Sequence, residues 1–435
     1  MIIHVVKQGE TMGSIAELYG RPVERLILEN GITDPNNLAV GETLVILFPQ
    51  IEYTVQAGDS LYSIAKLHNI SIMELLRNNP YLSDRANIYP GEVIVIKYMD
   101  EKIREISTNG FVYPFVNMNI LKKTLPFLTY LTVYSYYYTS QGDIMNVDDS
   151  EIIQTAKNYG VAPIMMLVAD SDNQIEEIEI LHNILIDQDV QDIFISNLLT
   201  ILLAKGYYGV NIKTPYIKTE DRALYVNFID KLSTRLHAAG FMLYISLSMS
   251  TFELLSSIFY DELQYDILGQ SANGIILITY EAGFSFGISP AVVAFETFSN
   301  YINIWTKLIP SQKIVTGLST ISYIWKLPYI EEVTLGQSMS YDSAVALARE
   351  VGAVIQYDEV TKSSYFRFIL KDEYVVRFRD ARGVEAILSL VPSHDLNGTA
   401  IWNCMFFYNQ MWLIINSQYE ITKIVPVNHY VMNNI

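Results

Sequence analysis

The 435-residue chain holds a single cysteine, Cys404, so no disulfide can form within it and an oxidising compartment is not implied. Basic residues are scarce as well: 29 Lys and Arg stand against 47 Asp and Glu, a net charge of −18. Nucleic acid demands a basic stripe for its phosphates, and an anionic bilayer surface attracts polybasic segments, so neither fits as a partner. The six histidines, at 4, 68, 182, 237, 394 and 429, never pair at i, i+4 and share no motif with the cysteine. No metal site or other cofactor is expected. Long apolar runs are missing: a stretch such as Ile275–Tyr280 is far too short to span a bilayer, and no membrane insertion is expected. The opening residues, Met1-Ile-Ile-His-Val-Val-Lys7, lack a basic n-region and run straight into a strand pattern, so no cleavable signal peptide is expected.

What is present is a chain that is 50% apolar and 17% charged, enough to build a sizeable buried core. Its length leaves room for small modules and one large domain. Internal repetition is the first signal. Residues 4–49 and 53–97 match at a fixed spacing across Gly9/Gly58, Glu10/Asp59, Thr11/Ser60, Ser14-Ile15-Ala16/Ser63-Ile64-Ala65, Leu26/Leu75 and Asn30/Asn79. After a one-residue insertion the match resumes at Leu38/Ile88 and Gly41-Glu42/Gly91-Glu92. Each copy reads as a strand, two helices and a closing strand. Thr11 and Ser60 stand where a hydroxyl caps the first helix. Ile15 with Leu18, and Ile64 with Leu67, give that helix an apolar face.

Both copies resemble the LysM family almost end to end. The resemblance implies a shallow groove in each module, between the loop after the first strand and the loop before the last, whose backbone groups read the acetamido groups of N-acetylglucosamine. The implied glycan-binding positions are Gly9, Glu10, Thr11, Met12, Ile32 and Leu38 in the first copy. In the second they are Gly58, Asp59, Ser60, Leu61, Tyr81 and Ile88. The plainer alternative is that these residues only cap helices and close loops. Two copies suit a polymeric target, because linked sites raise avidity. Peptidoglycan itself carries carboxylates, so binding by so acidic a chain is expected to run through neutral sugar contacts.

From Ile103 the texture changes to buried strands alternating with helical stretches. Candidate strands are Asn109–Phe115, Leu128–Tyr137, Ala162–Val168, Gly209–Lys213, Met242–Met249, Gly274–Tyr280, Lys313–Ser319 and Gly398–Asn403. Eight such units predict a (β/α)8 TIM-like barrel, its site at the C-terminal ends of the strands. The gap before the last strand is too long for one helix. Tyr365–Leu370 and Val375–Arg379 flank Lys371-Asp-Glu as a hairpin, so a small α+β insertion is expected at about 325–385. The predicted organisation is α/β: one module at 1–49, a second at 50–98, and the barrel at 103–425.

Landmarks along this region, among them LTYLTVYSYYY, GYYGVNI, ILITYEAGFSFGISP and GTAIW, resemble family 18 glycoside hydrolases. The likeness extends to the LysM-bearing branch that trims spore-cortex fragments. Active members of that family end the fourth strand with Asp-Gly-x-x-x-Asp-x-Glu. The glutamate protonates the leaving oxygen, and the aspartate two residues earlier orients the acetamido group that attacks the anomeric carbon. Residues two apart on a strand face the same way, which aims both carboxylates at the barrel mouth. This chain reads Tyr208-Gly-Val-Asn-Ile-Lys213-Thr-Pro215. Tyr208 replaces the first aspartate, Lys213 the orienting one and Pro215 the acid. Proline has no proton to give, and lysine places positive charge where the reaction develops it, so loss of hydrolysis is expected.

By the same resemblance, Trp402 corresponds to the tryptophan flooring the central subsite, and Tyr280 to the tyrosine that hydrogen-bonds the acetamido group, with Glu281 beside it. Each is open to a plainer role in core packing. The Tyr134, Tyr136, Tyr137 and Tyr138 cluster reads as strand packing and rim surface. Substitute acids are Glu281, Asp170 at the end of the third strand, and Glu220, although Glu220 and Asp221 most simply start a helix. The expected function is binding of peptidoglycan, or another N-acetylglucosamine-containing glycan, by a protein of the spore envelope. It would be made in the mother-cell cytoplasm of a spore-forming bacterium, with spore-envelope proteins as further partners. The alternatives are an active N-acetylglucosaminidase with a relocated acid, and a structural coat protein whose barrel binds only protein.

Overall fold

The computed structural model describes residues 1–83, 85, 87–171, 173–214, 217–248, 265–278, 295–330 and 333–428. In the first module β1 (Ile2–Val5) pairs antiparallel with β2 (Thr43–Ile46), and helices Met12–Tyr19 and Val23–Asn30 lie between them. The second module repeats this with β3 (Pro49–Thr54), helices Leu61–Leu67 and Ile72–Asn78, and β4 (Val93–Tyr98). Thr11 and Ser60 cap the first helix of each copy through reciprocal boxes with Ser14 and Ser63. The apolar face of those helices differs from the expectation. Ile15 and Ile64 are buried, but Leu18 and Leu67 are 64% and 67% exposed. Met12, Ile15 and Ala16, and their counterparts Leu61, Ile64 and Ala65, supply the buried stripe. A two-turn helix covering one small two-stranded sheet needs only the i, i+3, i+4 positions.

Behind the modules β5 (Arg104–Val112), β6 (Tyr130–Tyr138), β7 (Ala162–Ala169), β8 (Gly209–Lys213), β9 (Met242–Ser248), β10 (Gly274–Ile278) and β11 (Ile314–Ser319) run parallel. β12 (Ile321–Lys326), β13 (Gln337–Ser340), β14 (Gln356–Asp358), β15 (Ser363–Ile369) and β16 (Glu373–Phe378) form a separate antiparallel sheet, backed by the helix Tyr341–Glu350. The β15/β16 hairpin pairs from Ser364↔Phe378 to Ile369↔Glu373, as the flanking pattern predicts. β17 (Gly398–Trp402) then closes the barrel, paired on one side with β11 and on the other with β5. The expected eight-stranded (β/α)8 barrel with its insertion is therefore present.

A further strand, β18 (Tyr419–Ile421), lies parallel beside the start of β5 and was not foreseen. Three residues are too few to show an alternating pattern. One core lies between the strands and the outer helices. A second fills the barrel interior with Phe111, Ile164, Met166, Tyr244, Ile276 and Ala400. No helix of the described residues is long and apolar enough to cross a membrane.

The modules are fastened to the barrel rather than strung from it. Arg349 of the insertion reaches Glu42 of the first module, Nη2 to Oε1 2.5 Å, with both side chains buried. Thr43 Oγ1 donates to Gln410 Oε1 at 2.9 Å, and the Ile355 amide donates to Val40 O at 2.9 Å. The second module is held through Asn416, whose Nδ2 donates to Asn78 Oδ1 at 2.8 Å. Arg25 of the first module joins the second, donating to Tyr81 Oη at 2.8 Å and to Asn79 Oδ1 at 3.0 Å.

Candidate functional site

The loop that opens each module is shaped by the same three devices. Gly9 and Gly58 adopt φ of +84° and +90°, left-handed geometry that a side chain disfavours. The next residue is a carboxylate that closes the loop onto a backbone amide. Glu10 Oε2 accepts the Lys7 N–H at 2.7 Å, and Asp59 Oδ2 accepts the Gln56 N–H at 2.7 Å. The backbone bond from Lys7, aided by His4 Nε2 at 2.9 Å, holds the Glu10 carboxyl below its ordinary range. Tyr53 donates its hydroxyl to Asp59 Oδ2 at 2.8 Å, which pushes the phenol's pKa up. The hydroxyls of Thr11 and Ser60 then accept the amides of Ser14 and Ser63, each at 3.1 Å.

Glu10, Asp59, Thr11 and Ser60 thus spend their side chains on the loop, so any contact they make with a sugar falls to backbone groups. Met12 and Leu61 are buried in their modules. Leu38 and Ile88 pack half-buried against the cores, Ile32 is 8% exposed and Tyr81 is half-buried. Asn30 and Asn79, matched between the copies but given no role from sequence, tie the second helix to the last strand. Asn30 Nδ2 donates to the carbonyls of Leu26 and Val45 while its Oδ1 accepts the Val45 amide. Asn79 does the same with Leu75 and Val95. A polar residue conserved between two copies at a buried register was the available signal.

At the barrel mouth the structure gathers an aromatic wall. Trp402 ends β17 half-buried, with ring centroids 5.1 Å from Tyr134, 5.5 Å from Phe111 and 6.0 Å from Tyr113. Tyr113 stacks on Phe115, which is 77% exposed. Of the tyrosine cluster on β6, Tyr136 and Tyr138 are buried and Tyr137 is partly exposed, whereas Tyr134 meets Trp402. Aromatic faces of this kind suit the C–H face of a pyranose. The interior below is filled, with Tyr130 and Tyr244 packed edge to face at 5.3 Å. Burial pushes the Cys404 thiol up, so it offers no reactive thiolate.

The fourth barrel strand, β8, holds the altered motif. Tyr208 packs into the interior cluster, and Asn211 Oδ1 accepts the Ser246 hydroxyl at 2.9 Å. Lys213 ends the strand with Nζ 3.9 Å from Glu177 Oε1, on the first turn of the helix Gln174–Ile186. Glu177 went unnoticed in the sequence because it stands on a different element. Asp170 and Glu220 are exposed, and Asp221 is buried against His182 Nδ1 at 2.8 Å. Pro215, Tyr280 and Glu281 lie outside the described residues. No cluster of three metal-ligating side chains occurs among the described residues.

Residues 4–47 and 53–97 match the family model of the LysM domain. The two front modules are LysM domains. The whole chain is similar to the cortical fragment-lytic enzyme of Bacillus subtilis, 26% identical over 431 residues that cover 97% of this chain and 99% of that one. Among solved structures, the spore cortex-lytic enzyme SleL of Bacillus megaterium superposes with a TM-score of 0.80 at 25% identity, covering 97% of this chain and 98% of that one. A chitinase from Chromobacterium violaceum shares the barrel fold, with a TM-score of 0.63 at 20% identity over 72% of this chain and 98% of its own. A glycoside hydrolase-like barrel therefore follows the LysM pair.

Proposed function

We propose that this protein binds peptidoglycan in the spore envelope and that its barrel does not hydrolyse glycan. The LysM pair would dock on N-acetylglucosamine units through its groove loops, and the aromatic wall around Trp402 would hold a sugar without cutting it. Similarity to cortex-lytic proteins of Bacillus supports placement in the spore envelope, after synthesis in the mother cell, alongside other envelope proteins. The observation that carries the loss of chemistry is Lys213. By the family resemblance it stands in for the orienting carboxylate; it ends β8 and lies 3.9 Å from Glu177 of a neighbouring helix. Without the general acid, about 10²- to 10⁴-fold of rate is missing, and the cation opposes the charge the transition state develops.

The test is mass spectrometry of soluble cortex fragments incubated with the protein and with a Lys213→Asp/Pro215→Glu variant. No new reducing ends are expected from the natural chain. Products from the natural chain that vanish in Glu177→Gln would overturn the reading and name the substitute acid. Products from the double variant alone would establish that the mouth still seats sugar.

A further inference from the structure

The repeat that gives each module its closed loop also exchanges two rings between the copies. At the register of His4 on β1 the second module has Tyr53 on β3, and at the register of Tyr19 on the first helix it has His68. Each pair meets edge to face, His4 and Tyr19 with centroids 5.5 Å apart, Tyr53 and His68 at 5.3 Å. The pair is kept and its order is reversed. The consequence falls on the loop, because the strand residue is the one that reaches the carboxylate. In the first module that residue is an imidazole, His4 Nε2 at 2.9 Å from Glu10 Oε2. In the second it is a phenol, Tyr53 Oη at 2.8 Å from Asp59 Oδ2. We propose that His4 is a positioning residue that makes the first module's loop respond to protons between about pH 5 and 8, while the second module's loop stays indifferent over that range. Its effect on affinity rests on the glycan-binding reading; the loop device itself does not.

One oxygen carries the device. Glu10 Oε2 accepts both the Lys7 amide, at 2.7 Å, and His4 Nε2. An ionised carboxylate only accepts, so Nε2 holds the proton of the neutral ring, and Nδ1 accepts the hydroxyl of Tyr19 at 3.0 Å. A second proton adds at Nδ1. The ring then donates from both nitrogens, and the Tyr19 O–H turns so that its oxygen accepts. The bond to Glu10, charged before on the acceptor side alone, becomes charged on both and strengthens. His4 is buried, so solvent screens little of that gain. The Lys7 amide, and after it His4, hold the Glu10 carboxyl below its ordinary range, which keeps it ionised across the window. The bond to Asp59 pushes the Tyr53 phenol up, which keeps it protonated.

The groups around His4 leave it this role. The loop offers Glu10 and Lys7, and the first helix offers Tyr19, its Glu17 being exposed. β2, opposite at Leu44, has no titratable side chain. On the second helix Glu24 is exposed, and Glu29 is paired with Arg21 and Arg25. In the second module the imidazole of His68 faces the edge of Tyr53 and not the loop carboxylate. Gly9, Glu10 and Thr11, whose backbone groups are to meet the sugar, lie within or beside the latched turn. A firmer latch therefore presents them in preset geometry.

The test follows the Lys7 and Gln56 amides of the full chain by proton–nitrogen NMR from about pH 5 to 8. In parallel, calorimetry measures binding of an N-acetylglucosamine tetramer at both ends of that range, by the natural chain and by His4→Gln, which keeps a donor and cannot titrate. The tetramer is neutral, so the chain's overall charge stays out of the readout. The Lys7 amide is expected to shift with pH and the Gln56 amide far less. Affinity is expected to be about threefold higher at the acid end in the natural chain and flat in His4→Gln. A Lys7 amide that stays put in the natural chain overturns the proposal, as does equal movement of the two amides or a pH response that survives in His4→Gln. A moving Lys7 amide with no tetramer bound at either pH upholds the loop device and overturns the glycan reading.

Discussion

The two LysM modules are alike inside and unlike outside. Each has the positive-φ glycine, the loop-closing carboxylate, the capping hydroxyl and the asparagine that ties helix to strand. Their outer faces have parted. Gly41 and Gly91 share nearly the same φ, +88° and +92°, yet a Cβ on Gly41 would lie 2.0 Å from Ile355 O while one on Gly91 meets nothing within 4 Å. The following glutamates differ too. Glu42 is buried against Arg349 of the insertion, and Glu92 is part-exposed against Arg85 of its own module. A repeat keeps what its own fold requires, and whichever face a neighbour covers is free to diverge.

The sharpest way to break that comparison is to remove the two arginines. Arg349→Met leaves Glu42 buried without its cation and is expected to cost about 3–5 kcal/mol in urea unfolding. Arg85→Met leaves a solvated partner and should cost less than about 1 kcal/mol. Similar losses from both would remove the claimed asymmetry. Next come the asparagines. Asn30→Ala and Asn79→Ala each strand buried backbone groups and should cost about 2–3 kcal/mol, Asn79→Ala the more because its Oδ1 also accepts from Arg25. A smaller loss from Asn79→Ala than from Asn30→Ala would show that the shared interior is shared in geometry only. Last come the caps, where Thr11→Ala and Ser60→Ala should each lower stability by about 1 kcal/mol, read from thermal unfolding.

Features governed by neighbouring residues were legible in the sequence. The caps at Thr11 and Ser60, the glycines before them and the apolar runs of the barrel strands are local signals, and all appear in the structure. Contacts between distant segments were not. Arg349 meets Glu42 across more than three hundred residues, and Glu177 meets Lys213 from another helix. Tyr134 and Tyr136 are two apart on β6, yet a register irregularity between Val133 and Tyr136 separates them, one at Trp402 and one in the outer core. Strict alternation, which would have put them on one face, was the wrong guide there. At the site, Lys213 and Trp402 sit at the strand ends where sequence put them.

Only a few residues join β4 to β5, and they are pinned at both ends: the Met99 amide donates to Phe48 O and the Ile103 amide to Gln418 O. Together with the buried ties at Glu42 and Asn78, this makes the module-to-barrel spacing a property of the folded state and not of a tether. A flexible linker would set the effective concentration of one site near another through its length and let many spans be tried. Here one span is preset and its ordering entropy is already spent. Under the proposed function, a glycan whose repeat matches that span would gain the full benefit of joint engagement, and one whose repeat does not would gain none.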